Sequence, residues 1–211
     1  MTFAFSRRDM FRTASTAVAA SALAQVAAQP AFAQQAPSSS SSAGGLLRLS
    51  ANENPYGPSE SAKQAMTAAL GEGWKYPTTE MGQLAKLIAE REGVAPENVL
   101  ITEGSAEVLR ITALLYGSHG QEMVAARPTF EQAPDYVQKT GGEVVWVDLD
   151  KDMKHDLSAM EARITNRTGL VYVCNPNNPT ATMVSAKELR SFINVASSRA
   201  MVLVDEAYID L

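Results

Sequence analysis

The sequence predicts an α/β fold, a mostly parallel sheet flanked by helices in three layers, and three observations carry that prediction. From Leu46 onward, short apolar runs alternate with stretches of helical spacing, the order expected of β-α-β units. Val99-Leu100-Ile101-Thr102 stops at the glycine turn Glu103-Gly104-Ser105-Ala106-Glu107 and leads into a helix-like run. Several apolar runs end abruptly in polar residues, as strands do where a ligand sits at the carboxyl edge of an open sheet.

Ser59 to Leu70 and Met81 to Glu92 have helical spacing, with Pro58 suited to an entry turn and Gly71 and Gly93 suited to the exits. Val99 to Thr102 is predicted as a strand and Val108 to Tyr116 as the helix after it. Strands follow at Glu122 to Ala126, Glu143 to Leu149, Leu170 to Cys174 and Ala200 to Val204. The helices between them are predicted at Phe130 to Lys139, Asp156 to Ile164 and Ser185 to Ala196. Asn175-Pro176-Asn177-Asn178-Pro179-Thr180 enforces a turn, because its prolines fix φ and its asparagines bond their own backbone.

With 211 residues, 45% hydrophobic and 19% charged, the chain has enough apolar material for one substantial core. A formal charge of -5 leaves no basic footprint for nucleic acid. A single cysteine, Cys174, excludes an intrachain disulfide, and two histidines, His119 and His155, make no metal cluster. Cys174 reads as strand filling.

The first 33 residues differ in kind. Ser6-Arg7-Arg8-Asp9-Met10-Phe11-Arg12 precedes a mildly apolar stretch, Ala14 to Ala28, and then the small-x-small pattern Pro30-Ala31-Phe32-Ala33. This resembles a twin-arginine signal peptide, and implies export to the periplasm or beyond. Its stretch is too rich in Ala, Ser, Thr and Gln for a stable membrane anchor. Residues 34–45, with five consecutive serines from Ser38 to Ser42, read as a flexible leader, and residues 46–211 as one partial domain.

The chemistry is expected where strands end. Ser105 and Ala106 lie at a helix N-terminus, where backbone N–H groups and the helix dipole favour a phosphate. Asp205 follows the apolar run Met201 to Val204, so its carboxylate emerges against apolar walls and needs a cationic partner; a protonated pyridine nitrogen would serve. The alternative for Asp205 is an N-cap or a surface ion pair. Asn178 and Tyr208 carry polar groups suited to a phenolic oxygen, and Phe130 is a candidate to stack on an aromatic ring.

Six ordered segments carry a family likeness: Asn52-Glu53-Asn54-Pro55-Tyr56-Gly57-Pro58, Tyr76-Pro77, Glu103 to Glu107, Pro128-Thr129-Phe130, Asn175 to Thr180, and Asp205-Glu206-Ala207-Tyr208. Together they resemble fold-type I aminotransferases dependent on pyridoxal 5'-phosphate, and most nearly those of the histidinol-phosphate type. The resemblance implies that Ser105 and Ala106 bind the cofactor phosphate, Phe130 stacks on its ring, Asn178 and Tyr208 contact its phenolic oxygen, and Asp205 its pyridine nitrogen. It implies that Tyr76 reaches the phosphate of a neighbouring subunit in a homodimer, and that Tyr56 and Asn178 lie near the substrate. The substrates so implied are an amino acid or amine and a 2-oxo acid. A decarboxylase of phosphorylated amino acids and a non-catalytic cofactor-binding product are the alternatives.

Phe130 stands where the family usually has Tyr or Trp. Three departures stand out: Ala106 stands where close relatives commonly carry Asp; Ala181 replaces the glycine after Asn-Pro-Thr, so the turn after Thr180 is expected to be altered, because alanine tolerates positive φ poorly; and a signal peptide is unexpected for an enzyme of histidine biosynthesis. The family's Schiff-base lysine and substrate-binding arginine lie downstream of Asp-x-Ala-Tyr. The seven lysines here, Lys63, Lys75, Lys86, Lys139, Lys151, Lys154 and Lys187, all precede Asp205. The expectation is that the catalytic lysine lies beyond Leu211, so that this portion does not turn over by itself. The Val99–Thr102 strand, which the resemblance pairs with a later strand, is expected to leave a polar edge bare and the portion marginally stable.

Overall fold

A computed structural model describes residues 51–54 and 56–210. The twin-arginine segment and the serine-rich leader lie outside the described residues. The chain divides after Glu72 into two compact units. In the first, helix α1 (Glu60–Ala69) begins at Ser59, whose side chain accepts from the Ala62 N–H at 3.2 Å. That bond satisfies one of the N–H groups that have no partner inside a helix. A 3-10 turn, Leu70–Glu72, follows.

The second unit holds helices α2 (Thr78–Glu92), α3 (Ser105–Tyr116), α4 (Gln132–Lys139), α5 (Leu157–Ala162) and α6 (Ala186–Ala196). Its strands are β1 (Glu122–Arg127), β2 (Glu143–Asp148), β3 (Thr168–Cys174) and β4 (Met201–Asp205). They form one parallel sheet in the order β2-β1-β3-β4. Both faces of a parallel sheet are covered by its crossover helices, so the central strands are apolar throughout rather than alternating. β1 and β3 show this: Met123 to Ala126 and Leu170 to Cys174 are all buried.

Because successive side chains of a strand point to opposite faces, each strand feeds two cores. On one face Val124, Ala126, Val171 and Val173 pack with Met160 of α5 and Leu189, Phe192 and Ala196 of α6. On the other, Met123, Ala125, Leu170, Tyr172 and Cys174 pack with Leu109 and Ala113 of α3 and Ala133 and Val137 of α4. The three layers follow from the direction of each crossover. Parallel connections share one hand, so α4, which carries the chain from β1 out to β2, must cross on the opposite face from α5 and α6, which carry it back the other way.

Capping residues account for the small shifts between predicted and observed helix ends. Asp156 accepts from the Ala159 N–H at 2.9 Å and precedes α5. Ser185 precedes α6 in a reciprocal capping box with Glu188. α3 starts at Ser105, three residues before the predicted Val108. One predicted element is absent: Val99–Thr102 is not a strand. Its backbone is extended at Val99 (φ -110, ψ 121), but a strand needs a hydrogen-bonded neighbour, and among the described residues this segment stays outside the sheet with Leu100 exposed.

The end of the sheet at which strands begin is closed by charge and by close backbone packing. Glu122, buried at the start of β1, pairs with Arg167 at 3.0 Å and accepts from Thr165 Oγ1 at 2.7 Å, and Arg167 also reaches Glu143 at 3.2 Å. Beside it the loop before β2 runs against the C-terminus of α3. A Cβ on Gly142 would collide with the Gly117 carbonyl oxygen, which is backbone and cannot swing aside. Gly142→Ala is therefore expected to destabilise the fold by about 3 kcal/mol, the scale of overpacking a closed site, read as a lowered urea midpoint against the parent chain.

Candidate functional site

The crossovers diverge between β1 and β3, since the chain leaves β1 towards β2 and leaves β3 towards β4. In an open α/β sheet the loops at such a point separate and leave a crevice at the carboxyl ends of the strands, where ligands bind. The two loops here are Pro128–Phe130 after β1 and Asn175–Thr182 after β3. Asn177, buried, joins them. Its Oδ1 accepts from Thr129 Oγ1 at 2.8 Å, and its Nδ2 donates to the Pro128 carbonyl at 3.1 Å and to Thr180 Oγ1 at 2.8 Å. His155, also buried, lies on the same Oδ1 at 3.2 Å. With Oδ1 acting as acceptor, Nε2 carries the hydrogen, and Nδ1 is left buried without a partner among the described residues.

This network holds the turn that presents Asn178. The turn closes through Asn177 N–H to the Thr182 carbonyl and Ala181 N–H to the Asn177 carbonyl, both 2.8 Å. Ala181 takes φ 55, in the left-handed region that alanine tolerates poorly. Asn178 is half-buried, and its amide bonds no described residue.

Asp205 is the last residue of β4, not the first after it, and sits in register with Cys174. It lies two positions beyond Leu203 and so shares the α3 and α4 face. The carboxylate is 7% exposed, and among the described residues no Lys, Arg or His pairs with it. Its two oxygens take different donors. Tyr172 O–H donates to Oδ2 at 3.0 Å, and the Ala207 N–H donates to Oδ1 at 3.2 Å. Depth removes the surface ion pair from the readings of Asp205. Desolvating a carboxylate costs several kcal/mol, and two neutral donors offset only part of that, so the position favours a cationic ligand.

Cys174 forms the floor that links these parts. Burial pushes its thiol up and Asp205 beside it acts the same way, while the backbone at Asn178 and Phe130 and the Tyr172 hydroxyl oppose them. The thiol donates to the Pro176 carbonyl, in the β3 turn, at 3.4 Å. A protonated, buried thiol suits packing and not attack, as the sequence suggested.

At the start of α3, Gly104 takes φ 77, open only to glycine at low cost, and offers no side-chain cap. Glu107 reaches back to the Glu103 N–H at 2.9 Å and leaves the N–H groups of Ser105 and Ala106 without an acceptor among the described residues. Exposed Ser105 and half-buried Ala106 therefore present a donor pair at the positive end of a 12-residue helix.

Phe130 is partly exposed in the β1 loop, ahead of α4 and not within it as its predicted span had it. Tyr208, half-buried, lies in the turn after β4. Tyr76, 93% exposed before α2, bonds no described residue with its hydroxyl, and Tyr56, in the first unit, is 91% exposed. Sequence reasoning missed Tyr172, Asn177 and His155. A roomy cleft of about 860 Å³ lies on the opposite face of the sheet, lined by Asp150, His155 and Glu188 among others, and holds none of the predicted residues.

Two outcomes follow from the turn. A residue in the left-handed region costs about 1–2 kcal/mol and glycine's extra unfolded freedom offsets part of the gain from removing that cost, so Ala181→Gly should stabilise the fold by about 0.5–1 kcal/mol, read as a raised urea midpoint. For His155, burial lowers the imidazole's proton affinity, and Asn177 and the Cys174 backbone oppose it only in part. The unfolded chain then binds the extra proton first, below about pH 6.5. Stability should be full above that value and fall as pH drops from 7.5 to 5.5. His155→Gln should flatten that slope in urea titrations at the two pH values.

A family model for aminotransferase class I and II matches residues 45–211. The histidinol-phosphate aminotransferase of Moorella thermoacetica is 41% identical over 165 residues, 78% of this chain and 42% of that protein. The aromatic amino acid aminotransferase of Rhodococcus opacus is 36% identical over 166 residues, 79% of this chain and 46% of that protein. The crystal structure of histidinol-phosphate aminotransferase from Sinorhizobium meliloti in complex with pyridoxal-5'-phosphate is similar with a TM-score of 0.71 at 29% identity, over 75% of this chain and 43% of that one. The chain spans less than half the length of these relatives. With the family model running through every strand and both crevice loops, the chain belongs to the class I and II aminotransferases.

Proposed function

We propose that this chain is the cofactor-binding portion of a pyridoxal-phosphate-dependent transaminase that moves an amino group between an amino acid or amine, of the histidinol-phosphate kind, and a 2-oxo acid. The buried carboxylate of Asp205, facing the crevice side of the sheet with only neutral donors, carries this reading. It fits a protonated pyridine nitrogen, as the donor pair of Ser105 and Ala106 fits a phosphate. When bound, the cofactor supplies an electron sink for the substrate α-carbon.

The chain's own part is binding and orientation. Asp205 holds a proton on the ring nitrogen, Ser105 and Ala106 hold the phosphate through backbone N–H groups, Phe130 covers a ring face, and Asn178 and Tyr208 serve the phenolic oxygen. All seven lysines of the sequence are exposed, and none pairs with Asp205. We assign covalent attachment of the cofactor to none of them, so this portion binds without turnover. The homodimer, with exposed Tyr76 reaching a partner, and export by the twin-arginine signal belong to the same proposal. Among the described residues no helix is long and apolar enough to cross a membrane.

Titrating the chain with pyridoxal phosphate and following tryptophan quenching tests the proposal. Saturable binding is expected, weakened about 10-fold or more by Asp205→Ala, the scale of a lost hydrogen bond to a charged group, with the far-ultraviolet spectrum unchanged. Borohydride should leave the cofactor removable by dialysis. No saturable binding, or affinity indifferent to Asp205, would overturn it.

A further inference from the structure

We propose that Tyr172 is a positioning residue: its buried hydroxyl, donating to Oδ2 of Asp205, sets the plane of the carboxylate that meets the ring nitrogen. The inference rests on the cofactor reading above and adds to it a residue from the interior of the sheet.

A carboxylate free to turn about its last torsion has no fixed direction in which to accept, because that torsion is broad and two-fold. Asp205 is held at both oxygens, by Tyr172 O–H on Oδ2 and by the Ala207 N–H on Oδ1. The two bonds differ in firmness. The Ala207 donor lies in the turn after β4, exposed, at 3.2 Å. Tyr172 lies in the middle of β3, 0% exposed, packed in the core formed with Leu109 and Ala113 of α3 and Ala133 and Val137 of α4. Its register partner on β4 is Leu203, two residues before Asp205. A side chain two positions further on is within reach of a long aromatic leaning along the strand.

Burial and the neighbouring Cys174 and Asp205 all keep the phenol protonated, so it remains a donor. Each carboxylate oxygen has a second lone pair, and a ring N–H can be accepted without displacing Tyr172. Phenylalanine would fill the same core volume. The hydroxyl is the one group of this side chain that the packing does not require; it donates to Asp205 at 3.0 Å, with the Cys174 thiol beside it.

The test compares pyridoxal phosphate with its deaza analogue, in which C–H replaces the ring nitrogen, in wild type, Tyr172→Phe and Asp205→Ala, using the intact chain. Wild type should bind pyridoxal phosphate about 10-fold or more tightly than the analogue. Tyr172→Phe should cut that preference about 3-fold to 10-fold while leaving affinity for the analogue unchanged. In the Asp205→Ala background the preference should be absent, and Tyr172→Phe should then change nothing. An equal loss for both ligands in Tyr172→Phe would show a packing role only, and an unchanged preference would show no role; either overturns the inference and leaves the cofactor reading standing. Wild type binding neither ligand would overturn the cofactor reading and this inference with it. Should Tyr172→Phe fail to fold, 3-fluorotyrosine at position 172, a stronger donor of nearly the same size, should increase the preference; no increase would overturn the inference.

Discussion

The pairing of β1 with β3 is the constraint on which the rest of this structure depends. It joins two strands that are not neighbours in sequence and forces the crossovers on either side to run in opposite directions, on opposite faces. The layers, the division into two cores and the position of the crevice all follow. Thr129, Pro128 and Asn177 then fasten the loops that this divergence would otherwise leave apart.

Asp205 is the point at which fold and chemistry compete. The apolar residues that build β4 carry the carboxylate to a depth where it is poorly hydrated, and the core that stabilises the sheet charges a cost to its last residue. Neutral donors reduce that cost without removing it. On the cofactor reading proposed above, incomplete compensation in the free chain becomes selectivity towards a cationic ligand.

Much of this was readable in the residues. Apolar runs located the four strands of the described residues because strands inside a covered sheet leave a continuous signature, and the depth of Asp205 followed from its place at the end of the apolar run Met201 to Val204. Val99–Thr102 has the composition of a strand, yet pairing depends on a neighbour that local composition does not reveal. Tyr172 was hidden among Val171 and Val173, since its partner stands 33 positions away in the chain. Asn177 and Asn178 have the same turn propensity, and only the folded crevice separates the buried fastener from the residue it presents. Ala181 is a similar case: its φ of 55 is imposed by the folded turn, against alanine's own preference, so the residue type alone does not give the angle.

The ion-paired cluster of Glu122, Arg167 and Glu143 lies at the end of the sheet opposite the crevice. Its members touch the ladder only where the strands begin, a full strand length from Asp205 and Asn177. Substitutions among these charges should therefore adjust how firmly the scaffold holds while leaving the crevice loops in place, whereas substitutions in those loops act on stability and on the crevice together.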